Sequence, residues 1–172
     1  MLRVRIVTAA AGLTAVIAAG AISADAQGAA GLPTVTYKLL PAALAIEAAQ
    51  AAIASCKAQG WNVSVTIADR TGLPKLVLVG DGAGGVGREV TRRKAYTAAL
   101  LGISTDDFAK RIANGGFNPS IYDPQMASGA GGVPIKVGNE TIGAIAAAGA
   151  PGGDKDEACA KAGLAKISDR LN

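Results

Sequence analysis

The sequence predicts an α+β domain in which an antiparallel sheet is flanked by helices. Residues 61–68 alternate apolar and polar side chains, as a strand does, and a short turn separates them from a second strand-like run at 75–79. So short a connection joins antiparallel neighbours, because parallel strands need a long crossover. Apolar residues also recur at helical spacing before and after this strand pair, which favours helices packed on the sheet.

The elements can be assigned in chain order. The first predicted helix spans 41–59, and Gly60 suits its C-cap. A turn at 69–72, in which Asp69 is a typical turn residue, connects the first two strands. The later elements are helix, helix, strand, strand and helix, at 88–101, 104–113, 132–137, 141–148 and 154–171. The predicted order is therefore α-β-β-α-α-β-β-α.

Three connections carry further information. Ser104 or Thr105 can cap the third helix, and Gly138-Asn139 is a hairpin turn signal between the last two strands. The stretch 114–131 is long and irregular, and loops of this length are usually functional or mobile. The alanine and glycine content of 141–148 indicates that another element packs closely over this strand.

The N-terminus has the pattern of a secretory signal peptide. Arg3 and Arg5 precede an alanine-rich apolar stretch, and a small-x-small site ends at Ala26. The alternative interpretation is an uncleaved membrane anchor, but the stretch is short and weakly apolar for that role. No membrane span is therefore expected in the mature protein. We expect a periplasmic or secreted protein, divided into signal peptide, N-terminal arm and domain at 1–26, 27–40 and 41–172.

Two cysteines, Cys56 and Cys159, lie in predicted helices near the start and the end of the domain. An oxidising compartment permits a disulfide between them, and two buried free thiols are the alternative. The chain has no C-x-x-C motif, so a redox-active dithiol is not predicted.

The chain contains no histidine. This excludes Ser-His-Asp and Cys-His catalysis as well as histidine-ligated zinc or haem, and no metal site is predicted. A general base would have to be a carboxylate, a lysine or a tyrosine with a shifted pKa. The formal net charge of +4 is too small, and aromatic residues are too few, to indicate nucleic-acid binding.

A glycine-rich run at 80–87 fits the dinucleotide pattern G-x-G-x-x-G twice. That motif functions in a parallel βαβ unit, whereas this run follows a hairpin, and Asp81 would repel a pyrophosphate. We therefore expect no NAD or other nucleotide. The cations that follow form either a solvated basic face or a site for an anionic ligand: Arg88, Arg92, Arg93 and Lys94.

Three long stretches resemble the GlcG/HbpS-like family, also called the haem-degrading domain family, in its exported branch. They are "GWNVSVTIADRTGLPKLVLVGDGAG", "RRKAYTAALLG" and "GGVPIKVGNETIGAIAAAGAPGGDKDEACAKAGL", within 41–171. The resemblance implies a profilin-like fold with a sheet of about five strands. It also implies homo-oligomers, from tetramer to octamer, which the small residues of 142–149 would suit. Some relatives bind haem or iron, and others accompany glycolate or diol metabolism without a settled activity.

The resemblance directs attention first to Lys94 and Thr97. Relatives often carry Pro-His where this chain has Gly85-Val86, so any role of that histidine is lost. Haem would then be held by apolar contacts and by cations at its propionates, with Tyr96, Tyr122 or Met126 among the weaker axial candidates. The predicted ligand-binding residues are Asp81, Arg92, Arg93, Lys94, Tyr96, Thr97 and Gly132.

Some of these positions also have simpler structural interpretations. Lys94 can be a salt-bridged structural residue, and Asp156 and Glu157 can be partners of a helix dipole. Three functions remain open at this point. The protein binds haem or another small anionic ligand, or it is an enzyme acting on a small metabolite through Lys94 or Tyr96 at a subunit interface, or it is an accessory oligomer without a ligand.

Overall fold

The computed structural model of the chain describes residues 34–121 and 123–171. The predicted signal peptide and the first half of the predicted arm lie outside the described residues. The described part contains helices α1 to α4 at Ala42–Lys57, Gly85–Leu101, Thr105–Ala113 and Gly153–Ile167, and strands β1 to β4 at Ser64–Asp69, Pro74–Val79, Gly132–Val137 and Glu140–Ala148. Their order confirms the predicted α+β arrangement.

The four strands form one antiparallel sheet in the order β2-β1-β4-β3. Ser64 of β1 lies opposite Val79 on one side and Ala148 on the other, so β1 and β4 are the central strands. The resemblance predicts about five strands, and the described residues form four. The hairpin predicted at Gly138-Asn139 joins β3 to β4.

Helices cover both faces of the sheet. On one face, Val65 and Ile67 of β1 and Ile145 of β4 share a buried cluster with alanines of α1 and with Ile167 of α4. On the other face, the small side chains of the central strands meet α2, and the buried cluster there consists of Ala68, Ala95, Ala98, Ala99, Ala144 and Ala146. The fold is therefore a three-layer sandwich of helix, sheet and helix.

The alternation in β1 predicts a half-buried strand, and this expectation is wrong. Five of its six residues are buried, because α2 covers the face that carries the polar side chains. Thr66 is fully buried there, and its hydroxyl is 2.8 Å from the hydroxyl of Thr91 on α2. A small paired hydroxyl can be buried without losing its hydrogen bond, so alternation did not mean exposure.

The alanine-rich strand β4 has the close neighbour that its composition predicts. Ala144 and Ala146 lie under Ala95 and Ala98 of α2, and each of these residues is fully buried. Small side chains on both surfaces let the helix approach the sheet. The small residues of this strand therefore serve packing within the chain.

The helix after the glycine-rich run begins earlier than predicted. It starts at Gly85, so Gly85 and Gly87 belong to its first turn. It ends at Leu101 and is followed by the C-cap Gly102, whose φ of 64° is typical of a glycine at that position. β2 before this run is an outer strand paired antiparallel with β1, and α2 leads into α3. This topology differs from the parallel βαβ unit of dinucleotide-binding folds.

The remaining elements differ from prediction in small ways. α4 ends at Ile167, and a short 3-10 turn, Ser168–Arg170, completes the segment that we predicted as helix. Ser104 caps α3 by accepting a hydrogen bond from the backbone N–H of Asp107. Asp69 is a turn residue, as interpreted, because its carboxylate accepts hydrogen bonds from Thr71 and Leu73.

The predicted disulfide is confirmed, because Cys56 of α1 is bonded to Cys159 of α4. Both cysteines are fully buried in the main core, where the two helices lie side by side. Among the described residues, no helix combines the length and the apolar character that a membrane crossing requires.

Candidate functional site

The site predicted from the sequence lies mainly on α2, where five of the seven candidate residues fall within six positions. Two cations of α2, Arg92 and Lys94, are paired with carboxylates, and Arg92 is the more exposed of the two. It binds both carboxylate oxygens of Glu89, at 2.9 and 2.8 Å, and reaches Gln125 at 3.3 Å. The pKa of Glu89 is lowered by the hydrogen bonds from Arg92. The charge of Arg92 is therefore already paired.

Arg93 binds the long loop between α3 and β3. Its guanidinium donates to the backbone carbonyls of Pro124 and Met126, at 2.6 and 2.8 Å. The Nε atom of Arg93 is buried and has no hydrogen-bond partner among the described residues. This side chain thus holds the loop by two of its donors and keeps a third donor unused.

Lys94 lies deeper, between the loop and α4. Its Nζ donates to the carbonyl of Ala130 at 2.6 Å and lies 3.4 Å from Oδ2 of Asp156. Oδ1 of Asp156 accepts a hydrogen bond from the backbone N–H of Ala150. Burial raises the pKa of Asp156 above its ordinary value, against the opposing effects of Ala150 and Lys94. Lys94 therefore has the salt-bridged structural position that was one of its two interpretations.

Tyr96 and Thr97 complete the attachment of the loop. The hydroxyl of Tyr96 donates to Asp123 at 2.7 Å, and this hydrogen bond raises the pKa of the tyrosine. Thr97 is buried, and its hydroxyl accepts from the backbone N–H of Ala127 at 2.9 Å. A tyrosine whose pKa is raised is less readily deprotonated, so Tyr96 is poorly suited to act as a base at neutral pH.

Gly132 and Asp81 are placed differently from each other. The backbone N–H of Gly132 donates to the buried hydroxyl of Thr105, and a Cβ added there would lie 2.7 Å from the carbonyl oxygen of Lys94. This close approach explains the need for glycine. Asp81 is exposed at the other end of the site region, beside a groove that contains Trp61 and Asn62. The structure thus brings six of the seven candidates together and leaves Asp81 apart.

The common partner of these residues is the segment 123–130, which we call the docked loop. Arg92, Arg93, Tyr96 and Thr97 each contact it by a hydrogen bond, and Lys94 contacts its last residue, Ala130. The functional groups of α2 that were predicted to bind a ligand are used to position this loop. The sequence could not show this, because the partners are 27 to 36 positions away along the chain.

A mainly apolar cleft lies on the other side of the same connection, before the docked loop. Its volume is about 490 Å³, within the usual range of about 300 to 1,000 Å³ for small-molecule sites. Its walls come from the end of α2, from α3 and from the start of the connection: Leu101, Ile103, Phe108, Arg111, Asn114, Gly116, Phe117 and Pro119. The exposed lining is mostly apolar. We call it the α3 cleft.

Arg111 is the single charged residue among the described residues that line the α3 cleft. Its side chain forms no hydrogen bond or ion pair with any residue in the described ranges 34–121 and 123–171. Sequence reasoning missed both this residue and its cleft. The cleft forms where α2 turns into α3 and the following connection folds back, and this concave arrangement has no signal in the local sequence pattern.

A second group of charges lies at the N-terminus of α4. Asp106, Asp154 and Glu157 line a smaller cavity of about 250 Å³ together with Lys161. One oxygen of Glu157 is 2.7 Å from Lys161, and the other is buried without a described partner. In the part of the chain that the structure describes, no three His, Cys, Asp or Glu side chains are arranged to hold a metal ion.

Comparison with known proteins connects this geometry to a family. Residues 40–165 match the family model described as "Haem degrading protein HbpS-like". No curated protein matches the chain significantly.

Solved structures give the same result. A crystal structure of HbpS is 38% identical, with a TM-score of 0.71, over 77% of this chain and 92% of that one. A double mutant of Streptomyces reticuli HbpS is 34% identical, with a TM-score of 0.73, over 92% of this chain and 97% of that one. A crystal structure of a PduOC–haem complex is 20% identical, with a TM-score of 0.70 over 76% of this chain and 96% of that one, and it supports the fold alone.

Proposed function

Because the chain belongs to the HbpS-like family of haem-degrading proteins, we propose that it is an exported protein that binds haem or another small apolar molecule carrying an anionic group. The observation that carries this proposal is the α3 cleft, which combines apolar walls with the uncommitted cation of Arg111. An apolar cavity with a few placed polar groups is the usual form of a small-molecule site.

The residues present fit part of the chemistry of haem. The apolar walls suit the faces of a porphyrin, and Arg111 suits a propionate, which a guanidinium binds through two parallel hydrogen bonds. When bound, haem supplies an iron centre for redox and oxygen chemistry. The chain has no histidine, and the axial candidates that the structure describes are engaged elsewhere: Tyr96 is hydrogen-bonded to Asp123, and Met126 is buried in the docked loop, outside the lining of the α3 cleft. Tyr122 lies outside the described residues.

The residues of α2 have a supporting role in this proposal. Arg93, Lys94 and Thr97 position the docked loop, and the same connection supplies Gly116, Phe117 and Pro119 to the α3 cleft. Fixing the second half of the connection limits the positions that its first half can take. We therefore assign these side chains to shaping the site rather than to contacting the ligand.

Export and self-association belong to the same proposal. The signal-peptide pattern of 1–26 supports export, and the buried disulfide between Cys56 and Cys159 suits an oxidising compartment. β2 is an outer strand of the sheet, and among the described strands it pairs only with β1. It exposes Val77 and Val79, and the turn before it exposes Leu73. An apolar open edge of this kind supports association with a second copy of the chain.

The test is a titration of the purified protein with haemin, followed by absorbance in the Soret region. We expect a saturable spectral change in the micromolar range. Ile103→Glu should weaken the affinity for haemin at least about tenfold, because it places a charge among the apolar side chains that line the cleft. Val86→Glu is the matched control, since Val86 is exposed on the first turn of α2, away from the cleft. The absence of any saturable change with the wild-type protein would contradict the proposal.

A further inference from the structure

Among the residues that the structure describes, the lining of the α3 cleft contains no side chain that ordinarily ligates iron. Its aromatic and aliphatic residues are Leu101, Ile103, Phe108, Phe117 and Pro119, and its polar members are Arg111 and Asn114. Iron in haem proteins is usually held by histidine, cysteine, methionine or tyrosine. A ligand in this cleft can therefore interact with apolar walls and with a cation, but it gains little from an iron atom.

Arg111 is the cation available to that ligand. The acidic residues on its own helix do not neutralise it, because Asp106 pairs with Lys110 at 2.6 Å and Asp107 is exposed in the first turn. On α2, by contrast, Arg92 is paired with Glu89, and Lys94 with Asp156. Among the described residues around the docked loop and the cleft, Arg111 is thus the cation that lies beside apolar walls without a paired carboxylate.

From this chemistry we infer that the α3 cleft binds a flat apolar carboxylate, with a porphyrin as the relevant member of the class, through Arg111 and apolar contacts and independently of iron. The inference rests on the proposed function and specifies how the ligand is recognised. The carboxylate of the ligand accepts two hydrogen bonds from Arg111, and the macrocycle packs against the exposed Phe117 and the aliphatic residues of the cleft. The metal in the macrocycle then contributes little to affinity.

The experiment compares protoporphyrin IX, which lacks iron, with haemin. Binding of the first is followed by porphyrin fluorescence and of the second by quenching of Trp61, the single tryptophan of the chain. We expect the two dissociation constants to agree within about threefold. Arg111→Gln should weaken both by about tenfold or more, because it removes a charge-assisted pair, and Arg111→Lys should restore part of the loss.

Arg88→Gln is the matched control for Arg111→Gln. Arg88 is an exposed arginine without a described side-chain partner, and it lies near the opposite end of α2 from the cleft. Arg88→Gln should leave both dissociation constants unchanged. Because Arg111 is exposed, its replacement should not affect folding, and circular dichroism of the variants checks this.

The possible failures can be told apart. Haemin binding more than about tenfold tighter than protoporphyrin IX would overturn the inference, as would an Arg111→Gln variant that binds both as the wild type does. In either case, haemin binding by the wild-type protein would leave the proposed function standing. If the wild-type protein binds neither porphyrin, the inference and the haem-binding part of the proposed function both fail.

Discussion

Lys94 and Asp156 form an ion pair whose side chains are 9% and 7% exposed. Removing both charges from water is costly, and the pair is tolerated because each partner has a further hydrogen bond, to Ala130 and from Ala150. Such a pair adds little net stability, but loss of one partner leaves an uncompensated buried charge. This pair connects α2, the docked loop and α4 at one point.

Replacing Asp156 should change how stability depends on pH. Because burial raises the pKa of the folded-state carboxyl above the value of 3.8, its protonation favours the folded protein. The contribution of Asp156 is therefore fully present below the unfolded-state pKa and is lost as pH rises through the folded-state pKa. We expect the unfolding free energy of the wild type, minus that of Asp156→Asn, to decrease over that range.

Urea denaturation of both proteins at a series of pH values measures this difference, and effects of all other groups largely cancel in it. A difference that increases with pH would show that the effects of Lys94 and Ala150 on the pKa of Asp156 outweigh the effect of burial.

Lys94→Met should destabilise the protein by about 3 to 5 kcal/mol at neutral pH, because it leaves the carboxylate of Asp156 without its cation.

The contact between α1 and α4 depends on a glycine. A Cβ added at Gly163 of α4 would lie 2.4 Å from the carbonyl oxygen of Ala48 and 2.9 Å from Cβ of Ala52, both on α1. No side chain fits at such distances unless the backbone moves. Together with the disulfide and the alanines of α1, this glycine lets the two helices pack closely on one face of the sheet.

Gly163→Ala is expected to destabilise the protein, although alanine is the better helix former by about 1 kcal/mol. The added methyl group overpacks a rigid contact, which typically costs about 1 to 3 kcal/mol. The matched control is Gly85→Ala in α2, where an added Cβ meets nothing within 4 Å. Thermal or chemical unfolding measures both variants, and the idea fails if Gly163→Ala is as stable as Gly85→Ala.

The whole molecule is held together by contacts that are distant along the chain. The disulfide joins residues 103 positions apart, and the sheet places the first strand beside the last. In the chain-entropy view, a cross-link of this span stabilises the fold by about 4 to 5 kcal/mol. Such a cross-link forms in an oxidising compartment, which agrees with the export that we propose.

Native mass spectrometry of the protein, expressed with its N-terminus and recovered from the periplasm or medium, tests processing and assembly together. We expect chains that begin at Gln27 and associate as tetramers to octamers. Val79→Lys should shift the population toward smaller species, because it places charge on the exposed edge of β2, and Val86→Lys should not. Intact N-termini, or monomers at micromolar concentration, would contradict this part of the proposal.

The sequence by itself determined the class and order of the elements and the family, because periodicity, turn residues and long motifs are local along the chain. It permitted the disulfide, but whether Cys56 and Cys159 meet depends on how α1 and α4 pack. It also excluded histidine chemistry. Tertiary structure alone decided that both faces of β1 are covered, since burial depends on what packs above a strand. In the same way it decided that Arg93, Lys94 and Thr97 bind a loop about 30 residues away and that Arg111 borders a cleft. A cation looks the same in sequence whether its partner is a backbone carbonyl, a buried carboxylate or a ligand, and only its position in space distinguishes them.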